Sequence, residues 1–212
     1  MGGEELYPVV LRVAGRPCLV VGGGPVAARK CAGLVDCGAL VTVVAPRVDP
    51  SIEAMGTTVR RRRYRSGEAG HYRLVVTATG IPEIDGQVSA DAEAAGVWVN
   101  SADDPDRCTF VLPSVHRDSP VTVAVSTGGS SPALAAWLRR RIGEDVGPGL
   151  GTLATLMEEA RHDLRARGRD TGSVDWRALL DGPLPELVRS GDLKAARALL
   201  AQAVADATAG PP

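Results

Sequence analysis

The chain has almost no excess charge, few cysteines and no long apolar run. Its 24 basic and 25 acidic side chains leave a formal net charge of −1, which argues against nucleic acid as the main partner. The four cysteines show neither CxxC spacing nor a disulfide framework, so buried thiols in a reducing cytosol are the favoured interpretation. The longest apolar runs are too short to cross a bilayer. We therefore expect a cytoplasmic protein that binds neither a membrane nor nucleic acid.

Targeting and metal-binding signals are equally scarce. The N-terminus, residues 1–5, has neither the basic nor the apolar region of a signal peptide. The three histidines, His71, His116 and His162, are scattered, and no Cys/His pair has ligand spacing. We therefore expect no secretory leader and no resident metal.

A triple-glycine turn is the most informative feature that is present. An apolar run at 18–21 enters Gly22, Gly23 and Gly24, and a helix-compatible segment follows. With Ala27, the spacing is the G-x-G-x-x-A of a dinucleotide-binding turn. Gly22 permits the tight bend, and Gly24 lets a pyrophosphate approach bare backbone at a helix N-terminus. The sequence therefore predicts a nucleotide site.

The first half of the chain alternates between strand-like and helix-like segments, which predicts a parallel sheet with helices on both faces. We expect the strand order 3-2-1-4-5, with the arginine-rich third strand at an edge guarded by charge. Strand-like segments lie at 7–13, 18–21, 40–44, 58–64, 74–78 and 96–100. Helices are predicted at 26–37 and 84–95, whereas 51–55 is too short for a firm helix.

The pattern changes after Asn100. Two strands are predicted at 109–113 and 121–125, followed by a helix at 133–142 that Ser131 caps. The glycine- and proline-rich stretch 147–151 predicts a boundary. Further helices are expected at 153–167, 176–180 and 185–206, with a frayed tail at 207–212.

Ligands of open α/β sheets lie beyond the carboxyl ends of the strands. Thr79 follows the fourth strand and is placed to flank a ribose or nicotinamide. Asp103 and Asp104 follow the fifth, where adjacent carboxylates suit proton transfer. Asp-Asp-Pro is also ordinary turn composition, so spacing alone leaves the catalytic interpretation open.

The end of the second strand lacks the acidic residue that usually binds the ribose of a dinucleotide. Pro46 and Arg47 stand there instead. Arg47 suits either a 2′-phosphate, which would favour NADP, or an adenine face. The residues do not decide between these interpretations.

A second glycine-rich loop precedes the helix at 133–142. It is either an anion cradle or a simple capped turn. Its members are Ser126, Thr127, Gly128, Gly129, Ser130 and Ser131.

Together these segments resemble the siroheme synthase N-terminal family, which comprises precorrin-2 dehydrogenases, some of which are also sirohydrochlorin ferrochelatases. The resemblance covers residues 5–145 and extends more weakly to 200. The segments that carry it are 7–9, 18–30, 38–46, 99–103, 110–114 and 119–132.

The resemblance implies a Rossmann-type α/β fold and a homodimer. It divides the chain into an NAD-binding domain at 1–112, a dimerisation segment at 113–146 and a helical C-terminal domain at 147–212. It also implies an NAD-dependent oxidation of the tetrapyrrole precorrin-2 to sirohydrochlorin. The family has no acidic residue after the second strand and uses NAD, which counts against the NADP interpretation of Arg47.

By position, the resemblance assigns cofactor contacts to Pro25, Val26, Pro46 and Arg47, and it matches Asp103 to an essential aspartate that acts as base or orients the macrocycle. The substrate carries many carboxylates, so Asp104 and the loop 126–131 are its candidate contacts. One or two of Arg139, Arg140 and Arg141 can join them, because consecutive helical residues point in different directions.

Two alternatives stay open: a non-catalytic dinucleotide sensor, and a chelatase without dehydrogenase activity. Insertion of ferrous iron as a second activity is also open, as an analogy with the family alone. Since these 212 residues include no methyltransferase domain, we expect the chain not to make its own precorrin-2.

Overall fold

The computed structural model describes residues 5–209, and the chain forms two compact units, Met1–Leu112 and Pro113–Pro212. The signal-peptide expectation for residues 1–5 falls almost wholly outside the described part. The same holds for the last residues of the predicted frayed tail. Ala209 is the last residue of a helix, so 207–209 are ordered, contrary to that prediction.

The first unit is built on a five-stranded parallel sheet in the order β3-β2-β1-β4-β5, which confirms the predicted topology. β1 pairs with β2 on one side and with β4 on the other. The strands before and after this point are therefore added to opposite sides of β1. The strands are β1 Pro17–Val21, β2 Leu40–Val44, β3 Thr58–Arg60, β4 Leu74–Thr77 and β5 Trp98–Ser101.

Apolar side chains on both faces of this sheet are buried under helices. Cys18 and Val20 of β1 pack with Cys31 of α1 on one face, whereas Leu19 and Val21 pack with α3 on the other. Burial on both sides explains why the strands are continuous apolar runs rather than alternating ones. The helices are α1 Pro25–Val35, α2 Pro50–Ala54 and α3 Pro82–Ala94. The short segment at 51–55 is thus helical after all.

Three predicted strands differ in the structure. Residues 7–13 form no strand, because both sides of β1 are already paired, and Tyr7 and Val10 are 88% and 91% exposed. The third strand spans only Thr58–Arg60 and lies at the sheet edge. Residues 109–113 are not a strand either. Thr109 donates its N–H to Val99 O (2.9 Å) beside β5, but the segment does not continue as a strand along β5.

The second unit pairs β6 Ser114–Asp118 with β7 Val121–Val125 in antiparallel register. Its core is a cluster of leucine, alanine and valine from the later helices. The predicted helix at 185–206 is two helices, because Gly191 adopts φ +82° and Asp192 caps the next helix at Ala195 N. The helices are α4 Pro132–Val146, α5 Leu150–Ala166, α6 Trp176–Asp181, α7 Leu184–Arg189 and α8 Leu193–Ala209. Over residues 5–209, no helix has the length and apolarity needed to span a membrane.

Candidate functional site

The triple-glycine turn is held by backbone contacts with the two neighbouring strands. Gly22 N–H donates to Val44 O (3.1 Å), and Asp49 N–H donates to Gly23 O (2.8 Å). A Cβ on Gly22 would stand 2.2 Å from Ala78 O, and one on Gly23 would stand 2.0 Å from Arg47 O. Gly22 also adopts φ +130°. These two glycines are therefore required by the close approach of neighbouring backbone.

Gly24 differs, because no atom lies within 4 Å of a Cβ built on it. It is exposed and forms the N-cap of α1 without a side-chain cap. Pro25 at the first helical position is also exposed, and Val26 is half-buried. The N-terminus of α1 thus has no side-chain cap and the space beside Gly24 is open, so the turn fits the pyrophosphate of a dinucleotide.

Pro46 and Arg47, at the end of β2, are exposed. The nearby carboxylate of Asp49 caps α2 instead of reaching outward, since it accepts from Ser51 N (2.9 Å) and Ser51 Oγ (2.6 Å). These hydrogen bonds hold the pKa of Asp49 below its ordinary value. The part of the site beside β2 thus exposes Pro46 and the guanidinium of Arg47.

The turn after β4 holds a feature that the sequence analysis missed. Thr79 N–H donates to Asp85 Oδ1 (3.2 Å), and Thr79 Oγ1 also donates to it (2.8 Å). Thr77 Oγ1 makes a short hydrogen bond to the same oxygen. Asp85 is only 6% exposed. Its position on the apolar face of α3, three residues before the buried Val88, was the available signal.

The two carboxylates after β5 have different surroundings. Asp104 pairs with Arg107 Nε (2.9 Å) and accepts from Asp106 N (3.2 Å), which caps a short 3₁₀ turn. Asp103 is exposed and makes no hydrogen bond or ion pair with any residue of 5–209. Asp103 is thus the carboxylate available for proton transfer, and Asp104 has a local structural task.

A lysine also missed by the sequence analysis is hydrogen-bonded to β5, the strand that precedes Asp103. Lys30 Nζ donates to Asn100 Oδ1 (3.1 Å), and Asn100 Nδ2 donates to Phe110 O (3.1 Å). Burial lowers the pKa of the Lys30 ammonium, while the electrostatic effects of Cys108 and Asp103 oppose that shift. Lys30 therefore links the helix of the glycine turn to the strand that carries Asp103.

The loop 126–131 of the second unit uses most of its hydroxyl groups internally. Ser126 Oγ accepts from Gly128 N (3.2 Å), Thr127 Oγ1 accepts from Ser131 N (3.0 Å), and Ser131 Oγ caps α4 at Leu134 N (3.2 Å). The hydroxyl of Ser130 has no such bond within the described residues, and Ser130 and Gly129 are exposed. The capped-turn interpretation thus accounts for three side chains, and Ser130 is the one left for a ligand.

The arginines of α4 also differ from one another. Arg139 is partly buried, and its Nε has no partner within residues 5–209, whereas Arg140 and Arg141 are exposed. Within residues 5–209, no group of three His, Cys, Asp or Glu side chains could hold a metal ion.

An open glycine turn at a topological switch point, beside the ends of β2, β4 and β5, defines a Rossmann-type dinucleotide-binding protein. Comparison with known proteins identifies the family. Residues 9–114 match the model of a putative NAD(P)-binding family, 118–144 that of the sirohaem biosynthesis protein central region, and 149–204 that of the sirohaem synthase dimerisation region. The chain belongs to the siroheme synthase N-terminal family.

Curated relatives cover nearly the whole chain. The siroheme synthase of Thioalkalivibrio sulfidiphilus is 40% identical over 94% of this chain and 42% of its own length. That of Chromobacterium violaceum is 36% identical over 95% of this chain and 44% of its own length. The chain thus spans less than half the length of these relatives. The solved structure of SirC, a precorrin-2 dehydrogenase, has a TM-score of 0.68 at 24% identity, covering 95% of this chain and 100% of that one. This likeness supports the fold.

Proposed function

We propose that the protein oxidises precorrin-2 to sirohydrochlorin with NAD⁺. The observation that carries this proposal is the exposed, unpaired carboxylate of Asp103 at the same sheet edge as an open dinucleotide turn. The name siroheme synthase of the relatives and the precorrin-2 dehydrogenase activity in the name of the structural neighbour support the choice of substrate. A mere sensor of dinucleotides would have no use for the carboxylate.

The reaction removes a hydride and a proton from the macrocycle. NAD⁺, when bound, supplies the hydride acceptor. Gly24 and the first N–H groups of α1 bind the pyrophosphate, while Pro46, Arg47 and Thr79 line the two flanks of the dinucleotide. NAD is the cofactor in this proposal, which the match of residues 9–114 to a putative NAD(P)-binding family supports.

The proton passes to Asp103 Oδ, which needs no prior release from an ion pair. In the second unit, the Ser130 hydroxyl, which the loop leaves unused, and the exposed Gly129 remain our candidate contacts for a carboxylate of the macrocycle. Asp104 keeps the loop of Asp103 in place through Arg107.

The organisation of the protein forms part of the same proposal. We assign the dinucleotide domain to 1–112, a dimerisation segment to 113–146 and a helical domain to 147–212, and we expect a homodimer in the cytoplasm. The separate matches at 118–144 and 149–204 support a division near residue 147, but the model for the dimerisation region matches 149–204 and not 113–146. No observation on this chain favours iron insertion, so the proposal is confined to the oxidation.

Anaerobic incubation with precorrin-2 and NAD⁺ tests the function, with NADH and sirohydrochlorin measured by absorbance. We expect Asp103→Ala to lower kcat by about a hundredfold, because a positioned general base contributes factors of that order. Asp106→Ala removes an exposed carboxylate from the same loop and serves as the control.

The absence of NADH with authentic substrate would refute the proposed oxidation. Wild-type turnover by Asp103→Ala would refute the role of Asp103. Repeating the assay with ferrous iron, and scoring siroheme separately, measures chelation without affecting either result.

A further inference from the structure

Buried polar side chains of the described residues are concentrated in one small region. All of them belong to β4, α3 or β5: Thr77, Asp85, Ser89, Asn100 and Ser101. Asn100 is explained by Lys30, as described above. Burial of a carboxylate is costly unless hydrogen bonds compensate for its lost hydration. The burial of Asp85 therefore requires hydrogen bonds that offset the lost hydration of its carboxylate.

Asp85 receives its hydrogen bonds from the end of β4 and the turn that follows it. Its Oδ1 accepts the N–H of Thr79 (3.2 Å), the hydroxyl of Thr79 (2.8 Å) and the hydroxyl of Thr77. The hydroxyl of Thr79 accepts in turn from Ile81 N (3.0 Å). The N–H and the hydroxyl of Thr79 thus both contact Asp85 of α3, so this one oxygen helps to fix the conformation of the turn.

The same turn touches the glycine turn. Ala78 N–H donates to Val21 O (2.8 Å), and Ala78 O occupies the place where a side chain on Gly22 would project. Any change in the backbone of 78–80 is therefore transmitted to the residues that face the dinucleotide. This coupling is direct because the contacts are between main-chain atoms.

We propose that Asp85 is a positioning residue of the dinucleotide site, which holds the turn 78–80 against the glycine turn by accepting the N–H and the hydroxyl of Thr79. The role concerns cofactor binding and deepens the proposed function. It needs no assumption about the oxidised substrate, so binding of NAD⁺ alone tests it.

Isothermal titration of the full chain with NAD⁺ measures the effect. Asp85→Ala should raise the Kd by about tenfold or more, because displacement of a binding loop by a fraction of an ångström has effects of this size. Asp85→Asn keeps an acceptor oxygen of the same shape and should stay within about threefold of wild type. Glu83→Ala removes an exposed charge from the same turn of α3 and should leave the Kd unchanged.

A Kd within twofold of wild type for a folded Asp85→Ala chain would overturn the proposal. So would an Asp85→Asn chain that loses as much affinity as Asp85→Ala, since charge rather than the held turn would then be responsible. Thermal unfolding of each variant confirms that the chains compared are folded.

The pair Thr79 and Asp85 gives a second test, whose first step, the single variant Thr79→Val, does not need a folded Asp85→Ala chain. Thr79→Val keeps the side-chain volume but removes the hydroxyl, and we expect a Kd raised several-fold. In a double-mutant cycle, Asp85→Ala with Thr79→Val should bind no more weakly than the weaker single variant. Wild-type affinity of Thr79→Val, or full additivity in the cycle, would refute the inference. Failure to oxidise precorrin-2 would leave these binding results untouched.

Discussion

Two glycine-containing turns, 22–24 and 126–131, resemble each other in sequence but differ in whether a side chain caps the helix that follows. Each joins a strand to a helix through glycines, and each helix begins with a proline, Pro25 in α1 and Pro132 in α4. The N-cap of α1 is Gly24, which has no side chain, whereas the N-cap of α4 is Ser131, whose hydroxyl accepts from Leu134 N. The first turn thus leaves its helix N-terminus open for a ligand, and the second satisfies its own.

The comparison shows that glycine content alone does not identify a phosphate site. In the first turn the glycines are required by neighbouring backbone, as the contacts of Gly22 and Gly23 show. In the second turn Gly128 and Gly129 adopt positive φ with open space around them. A ligand site arises where backbone contacts fix a turn whose donors remain unused.

The largest expected effect comes from a side chain at Gly22. Gly22→Ala adds strain at φ +130° and a collision with Ala78 O, so we expect a loss of about 3 kcal/mol in the free energy of unfolding. Gly129→Ala has the strain of φ +85° without a collision and should lose about 1 kcal/mol. Urea unfolding measures both. Equal losses would show that the two turns are equivalent.

A smaller effect, confined to binding, is expected at Gly24. Gly24→Ala meets no atom of the protein, so the free energy of unfolding should change little, while a methyl group obstructs the pyrophosphate. We expect the Kd for NAD⁺ to rise about tenfold, or about 1.4 kcal/mol. Gly33→Ala, which is also in open space on α1, is the matched control. Unchanged affinity of Gly24→Ala would place the phosphates elsewhere.

The smallest effect separates two serines of the second turn. Ser131→Ala removes the cap of α4 and should destabilise the chain by about 1 kcal/mol. Ser130→Ala removes a hydroxyl without an internal bond, so stability should persist while the KM for precorrin-2 rises. Thermal unfolding and steady-state kinetics distinguish the two variants. If neither variant changes KM, the loop is only a capped turn.

Residue patterns predicted the architecture well where both faces of an element are buried. The apolar runs of β1, β2 and β4 and the order of the sheet follow from such patterns. They failed at 7–13, where an equally apolar run finds no partner strand. Apolar character indicates that a segment can pair, but pairing depends on which strand edges other segments leave free.

The residues of the candidate site likewise divide into those that the sequence predicted and those that only the structure revealed. Spacing predicted Gly22 and Gly24, and the strand end together with the family resemblance predicted Asp103, because these are local features. Asp85 was missed although its place on the apolar face of α3 was a signal, and Lys30 was missed because its partner Asn100 lies 70 residues away. The separate tasks of Asp103 and Asp104 also needed the structure, because only it shows Arg107 pairing with one of them.

By itself the sequence determined the fold class, the dinucleotide turn and the strand end that carries Asp103. These depend on hydrophobic burial and on the conformational freedom of glycine, which act over a few residues. The tertiary structure alone decided which carboxylate is available, which hydroxyl groups are used internally and which side chains donate to the buried Asp85. Hydrogen bonds and ion pairs need two groups at close distance, and folding brings those groups together from distant parts of the chain.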